Sequence, residues 1–205
     1  MPDFSFEEQA RTRGCRVIAG VDEAGRGPWA GPVVAAAVIF DLSAWSEELR
    51  TGLDDSKKLS AARRDALFDA IYLSADVGVG RAEVGEIDQI NILQATFLAM
   101  KRAVESLSKA TDFAIIDGNK IPPLNCPAEA IVKGDSKSLS IAAASIVAKV
   151  TRDREMKILG ENHPGYGWER NMGYGTAEHK SGLEKLGVTD HHRKSYKPII
   201  NILSR

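Results

Sequence analysis

The sequence predicts an α/β fold: a mixed β-sheet flanked by helices, with a C-terminal helical extension. Three observations predict it. Two short apolar runs, Arg16–Val21 and Val33–Phe40, lie close enough to pair as a hairpin. After them, Ile87, Ile90, Leu93, Phe97, Met100, Val104 and Leu107 recur every three or four residues, the spacing of one helical face. Two further strand-like runs, Phe113–Ile116 and Ala128–Val132, follow that helix, so a helical crossover leads into a parallel portion of the sheet.

The elements follow in order. Arg16–Val21 reads as a buried strand leading into a polar turn at Asp22-Glu23, and Gly25-Arg26-Gly27-Pro28 must be loop. Val33–Phe40 is the second strand, and residues 52–59 are polar loop. Ser60 can cap a helix reaching about Ala75, with Ala62, Ala66, Leu67, Ala70 and Ile71 on one face. Asp76–Val84 gives a third strand, and the long amphipathic helix covers 87–107. Leu139–Leu159 is helical, and its first half is apolar nearly all round, so it should lie buried against the sheet. Residues 160–175, with Gly160, Gly165, Gly167, Gly173 and Gly175, read as a long loop. Thr176 can cap a short helix to Leu186, and the tail Ile199–Leu203 is expected to pack on the core. The whole of 1–205 reads as one catalytic domain, with about 160–205 as a substrate-contacting extension.

A chain of 205 residues buries roughly 70% of its unfolded surface, enough for a real core. Hydrophobic residues at 43% and charged residues at 27% exclude a disordered or fibrous chain. The longest apolar run has the eight residues of Val33–Phe40, too few to span a membrane, and the acidic N-terminus does not read as a signal peptide. Cys15 and Cys126 are too few for a disulfide scaffold and lack zinc-site spacing, so a cytoplasmic protein is expected. The net charge is −1, but residues 117–205 carry 14 bases against 10 acids. That excess fits a polyanionic partner met in a local groove, although plain solvated surface is the commoner cause.

Four carboxylates, Asp22, Glu23, Asp117 and Asp135, each follow a strand-like run. Strand ends along one sheet edge converge, and clustered carboxylates repel unless a cation sits among them. Oxygen-only ligands suit Mg²⁺ or Mn²⁺ rather than zinc, and two such ions would clamp the attacking and leaving oxygens of a phosphodiester. Taken singly, each acid could equally be a turn former. Gly25-Arg26-Gly27 lets backbone approach a ligand closely, as sensing a single 2′-hydroxyl requires; it is neither a P-loop nor a dinucleotide fingerprint.

The run Val21-Asp-Glu-Ala-Gly-Arg-Gly-Pro28, followed by Ala30-Gly-Pro-Val33, closely resembles the opening signature of type 2 ribonuclease H, RNase HII. The resemblance continues through Asp55-Ser-Lys-Lys-Leu59, Ile90-Asn-Ile-Leu-Gln-Ala95, Ile116-Asp-Gly-Asn119 and Lys133-Gly-Asp135. It then runs through 144–153, Gly173-Tyr-Gly-Thr176 and His192-Arg-Lys-Ser195, in order over nearly the whole chain. It implies an RNase H-like fold and an endonuclease, a hydrolase of RNA–DNA hybrids and of duplex DNA carrying single ribonucleotides. Cleavage would fall 5′ of the ribonucleotide, leaving 3′-hydroxyl and 5′-phosphate ends, in the removal of misincorporated ribonucleotides from DNA. The family's metal-binding carboxylates fall on Asp22, Glu23, Asp117 and Asp135, its 2′-hydroxyl-reading loop on Gly25, Arg26 and Gly27, and its stacking tyrosine on Tyr174. The chain is expected to act as a monomer with two Mg²⁺ or Mn²⁺ ions, while contact with a replication clamp stays open.

Lys57 and Lys58 suit phosphate contacts, Asn91 and Gln94 could face the groove, and Ser138, Ser140 and Ser145 could bond phosphates near a helix start. Lys149, Arg152 and Asp153 fall on adjacent helical turns, where an ion pair is the plainer expectation, and His192 is not expected to be a general base. Two departures from the family pattern stand out: Met172 where a basic residue is usual, and Trp29 where an aliphatic one is. The competing readings are a resolvase-like nuclease of the same fold acting on DNA, and a catalytically silent nucleic-acid-binding module.

Overall fold

The structure is a computed structural model that describes residues 2–40, 49, 52–54, 56 and 59–204. Its elements are α1 (Ser5–Thr12), β1 (Ile18–Ala24), β2 (Val33–Phe40), α2 (Ala61–Ser74), β3 (Ala75–Ala82), α3 (Val84–Glu105), β4 (Phe113–Asp117) and β5 (Ala128–Ile131). A 3₁₀ turn (Gly134–Ser136) precedes α4 (Leu139–Asn162), α5 (Trp168–Asn171), α6 (Ala177–Leu186) and α7 (Lys197–Leu203). The sheet order is β3-β2-β1-β4-β5. The first three strands pair antiparallel, and β1-β4 and β4-β5 pair parallel, so the predicted mixed sheet is present.

Successive strand residues face opposite sides. In β2 both sides are covered: Ala36, Val38 and Phe40 pack with α4 and α2, while Val33, Ala35 and Ala37 pack with α3. That explains why Val33–Phe40 is apolar without alternation and wholly buried. The helix layer of α4 also matches its composition, since Leu139 to Ala148 are all buried. Each large aliphatic removed from water there contributes about 1.5–3 kcal/mol. At Gly20 the backbone of β1 lies directly against Ser140 of α4, and an added Cβ would overlap that residue.

Five segments differ from expectation. Within the loop expected over 160–175, α4 runs on to Asn162 and Trp168–Asn171 forms α5. β1 runs on through Asp22 and Glu23, which pair with Ala36 and Ala35 instead of turning. Backbone pairing is indifferent to side-chain polarity, and the small alanines opposite leave the carboxylates room. The long helix is kinked at Asn91, whose φ of 65° breaks it; the Asn91 Oδ1 then caps the second stretch by accepting from the amides of Leu93 and Gln94. The tail 197–203 is helical, with Ile199 buried. Helix α1 was not expected, because its inner face carries Glu7. Glu7 Oε1 accepts from the Ser138 hydroxyl (2.7 Å) and the Ser140 amide (3.1 Å) at the start of α4. A carboxylate there meets the positive end of the helix dipole, which compensates its burial. Among the described residues no helix is long and apolar enough to cross a membrane.

Gly20→Val is expected to destabilise the protein by about 1–3 kcal/mol or more, because the β1–α4 approach has no slack. Denaturant melts check this, and an unchanged midpoint would contradict the close packing.

Candidate active site

The register of the sheet sets the site. Val21 pairs with Ile116 across parallel β1 and β4, so the next residues, Asp22 within β1 and Asp117 at the end of β4, lie side by side. Asp22 is 5% exposed. Its carboxylate accepts from the Glu23 amide (2.7 Å) and bonds Ser145 of α4. Burial first, and then the charges of Glu23 and Asp117, push its carboxyl well above the ordinary carboxylate range. Asp117 Oδ1 accepts from the Gly134 amide (2.6 Å), which ties it to the 3₁₀ turn carrying buried Asp135. Lys133, at φ 57°, makes the sharp entry into that turn.

Beside these acids lies a cleft of about 300 Å³, lined by residues 23–27 with Ser56, Ser145, Lys149, Arg152 and Tyr174. A second cleft of about 210 Å³ adjoins it, sharing Glu23 and Arg26 and reaching Asp117 through Lys120. Arg26 Nη1 pairs with Glu23 at 3.3 Å where the two meet. Gly25, Arg26, Gly27 and Tyr174 are thus brought together at one opening. The position of a Cβ on Gly27 would be 3.3 Å from the Tyr174 ring, and Tyr174 is 48% exposed.

Two buried arginines hold the glycine loop. Arg193 donates to the carbonyls of Gly25 (2.6 Å), Arg26 (2.9 Å), Gly31 and Pro32. Arg152 donates to Ala30, Pro32 and Met172. Gly25, at φ +97°, lies so close to Arg152 that a side chain there would overlap the guanidinium. Among the described residues no carboxylate lies within ion-pair distance of either arginine. Burial, and next the charge of Arg193, lower Arg152 to about 10, so both stay cationic at neutral pH. Arg152 lines the cleft, so its charge bears on an anion entering there.

The other expected contacts divide. The Ser138 hydroxyl and the Ser140 amide are held by Glu7 and neither residue lines the cleft, whereas Ser145 lies in it, 2.8 Å from the Ser56 hydroxyl. Lys149 pairs with Asp153 (2.7 Å) at the cleft wall. Asn91 is engaged as a cap and Gln94 is exposed, and neither is among the described residues lining the two clefts. Lys57 and Lys58 lie outside the described residues. His192 is fully buried and bonded to His179 and Thr189, a packed histidine as expected. Trp29 joins the two halves of the opening: its amide donates to Gly173 O (2.8 Å), and its ring covers Gly175. The bracing role of Arg152 and Arg193 was missed by sequence reasoning.

A family model described as Ribonuclease HII matches residues 19–199. The chain belongs to the ribonuclease HII family. The ribonuclease HII of Ruegeria pomeroyi is 58% identical over 98% of this chain and 85% of its own length. Among solved structures, the ribonuclease H2 of Pyrococcus horikoshii aligns with a TM-score of 0.79 at 29% identity, covering 93% of this chain and 98% of that one. The Archaeoglobus fulgidus RNase HII, solved as a complex with PCNA, aligns at 0.71 and 27% identity over 89% and 96% of the two chains. As a ribonuclease HII, this chain is a type 2 ribonuclease H, an endonuclease with the RNase H-like fold.

Among the described residues, no three His, Cys, Asp or Glu side chains are gathered tightly enough to hold an ion between them. The donor chemistry nevertheless fits a hard divalent cation: the acids offer oxygen alone, and Asp22 is buried against two like charges that a cation would offset. Asp22→Asn is therefore expected to raise the melting temperature in chelator at pH 7. The folded-state carboxyl is shifted upward, so its penalty is felt above the ordinary carboxylate range and fades as pH falls toward 4. A lower melting temperature at pH 7 would show that the cluster is not repulsive.

Proposed function

We propose that this ribonuclease HII hydrolyses the phosphodiester 5′ of ribonucleotides in RNA–DNA hybrids and of single ribonucleotides embedded in duplex DNA, leaving 3′-hydroxyl and 5′-phosphate ends. The observation that carries the reading is the shared opening of the Gly25-Arg26-Gly27 loop, Tyr174 and Glu23, with Asp117 lining the adjoining cleft. In this reading Asp22, Glu23, Asp117 and Asp135 hold two divalent ions, Mg²⁺ or Mn²⁺. When bound, such ions supply a nucleophilic hydroxide and neutralise charge on the scissile phosphate.

The chain's own residues do the rest. The carbonyls of Gly25 and Arg26 are turned inward onto Arg193, and the amides of Arg26 and Gly27 have no acceptor among the described residues. Those amides can donate to a 2′-hydroxyl, a group deoxyribose lacks. The exposed Tyr174 ring offers a flat apolar face against the next sugar, which favours a deoxynucleotide there and hence an RNA-to-DNA junction. Arg152 and Lys149 supply positive charge along the phosphate path. Residues from about 160 to 205 act as the substrate-contacting extension, carrying Tyr174 and Arg193. Removal of misincorporated ribonucleotides from DNA in the cytoplasm is the role this chemistry suits.

The test is cleavage of a labelled duplex containing one ribonucleotide, with Mg²⁺, Mn²⁺ or chelator, beside an all-DNA control. Metal-dependent cutting only 5′ of the ribonucleotide is expected, and cutting of the all-DNA duplex would favour a resolvase-like enzyme. Asp117→Asn should lower the rate by roughly 100- to 1000-fold while leaving the fold intact. Tyr174→Ala should weaken cleavage at the single ribonucleotide more than within long hybrid, and equal losses on both would count against stacking.

A further inference from the structure

Residues 172–174 present three successive carbonyls, and each is taken by a different element. Met172 O accepts from Arg152 of α4 (3.0 Å), and Gly173 O accepts from the Trp29 amide (2.8 Å). Tyr174 O lies 3.0 Å from Nδ1 of His179 in α6. The first two bonds join this segment to the glycine loop and its brace. The third acts on the tyrosine's own backbone, beside the Thr176 amide that also donates to Tyr174 O (2.8 Å) and the Tyr174 amide that donates to Asn171 O (2.9 Å).

His179 is fully buried, and its surroundings settle its protonation. Trp168 Nε1–H can only donate, and it reaches His179 Nε2 at 3.0 Å. His179 Nε2 is therefore an acceptor, and the ring's single proton sits on Nδ1, directed at Tyr174 O. His192 agrees: its Nδ1 accepts from the Thr189 amide (3.0 Å), so its Nε2–H donates to His179 Nε2 (3.1 Å). Both rings are neutral in this arrangement, and Tyr166, stacked on Trp168 at 4.8 Å, seals the cluster. Burial lowers His179, and burial with the charge of His179 brings His192 to about 4, in keeping with neutral rings. Such a network holds one tautomer and so aims one donor.

We infer that His179 is a positioning residue for substrate selection: through Nδ1–H it fixes the Tyr174 backbone so that the ring stands against Gly27 at the cleft opening. This rests on the reading of Tyr174 as the residue that favours an RNA-to-DNA junction. An Asn amide can take the place of Nδ1–H, whereas a Gln amide falls at the Nε2 position and cannot reach Tyr174 O.

The experiment measures kcat/KM with Mg²⁺ on a single-ribonucleotide duplex and on a long RNA–DNA hybrid, and takes their ratio, alongside melting temperatures. His179→Gln is expected to lower the ratio about tenfold, toward the value of Tyr174→Ala, while His179→Asn stays within about threefold of the unmodified protein. In the double variant Tyr174→Ala/His179→Gln the ratio should fall no further than in Tyr174→Ala. Equal losses on both substrates, or a drop additive with Tyr174→Ala, would overturn the inference and leave His179 a purely structural residue. A ratio that Tyr174→Ala itself does not move would overturn the stacking reading and this role with it. Should His179→Gln not fold, His179→Leu keeps comparable bulk and removes the Nδ1–H outright. It should lower the ratio in the same direction, and an unchanged ratio would be contrary.

Discussion

Arg193 donates to the carbonyl oxygens of Gly25, Arg26, Gly31 and Pro32, and the shape of the cleft depends on those bonds. The loop between β1 and β2 is glycine-rich, and alone it would sample many conformations, each residue costing about 1–2 kcal/mol to fix. The guanidinium satisfies several buried carbonyls at once, with charge-assisted bonds worth more than neutral ones. Arg152 braces the same loop from α4 and also takes Met172 O, so the loop and the segment leading to Tyr174 share one support. Fixing both sides of the opening in advance spares the substrate part of that ordering cost.

The two charged parts of the site are complementary. The strand ends gather carboxylates, where burial and the charges of Glu23 and Asp117 raise Asp22, and the helix and C-terminal segment bring buried cations that, among the described residues, bond carbonyls rather than carboxylates. A phosphodiester backbone arriving with divalent ions would balance both. The basic excess lies in residues 117–205, the same half that supplies Asp117 and Asp135. Folding brings its Arg152 and Arg193 against the loop that follows Asp22 and Glu23.

Much of this was legible from residues alone. The unbroken apolar runs of β2 and early α4 announce burial on both sides, and the long helix follows its apolar period. The four carboxylates could be named because each ends an apolar run. What stayed hidden was polar burial. Glu7 places a charge on the inner face of α1, so that helix has no clean apolar stripe. Asn91 looks like a surface amide yet caps a helix restart, because a left-handed residue leaves no mark in the apolar period. Arg152 reads as part of an ion pair and Arg193 as a residue near the active site, since nothing local shows that both donate to carbonyls of the glycine loop more than a hundred residues away. Gly25 carried the one hint: only glycine allows both its positive φ and the close approach of Arg152.

Amide hydrogen exchange of Arg193→Lys beside the unmodified protein tests the central claim most directly. Lysine keeps the charge but lacks the planar fork that reaches several carbonyls together. Faster exchange is predicted at Trp29 and Gly31, whose amides bond Gly173 O and His191 O, with protection in β1, β2 and α4 unchanged. Unchanged exchange in the loop, or a uniform rise across the sheet and helices, would contradict the account.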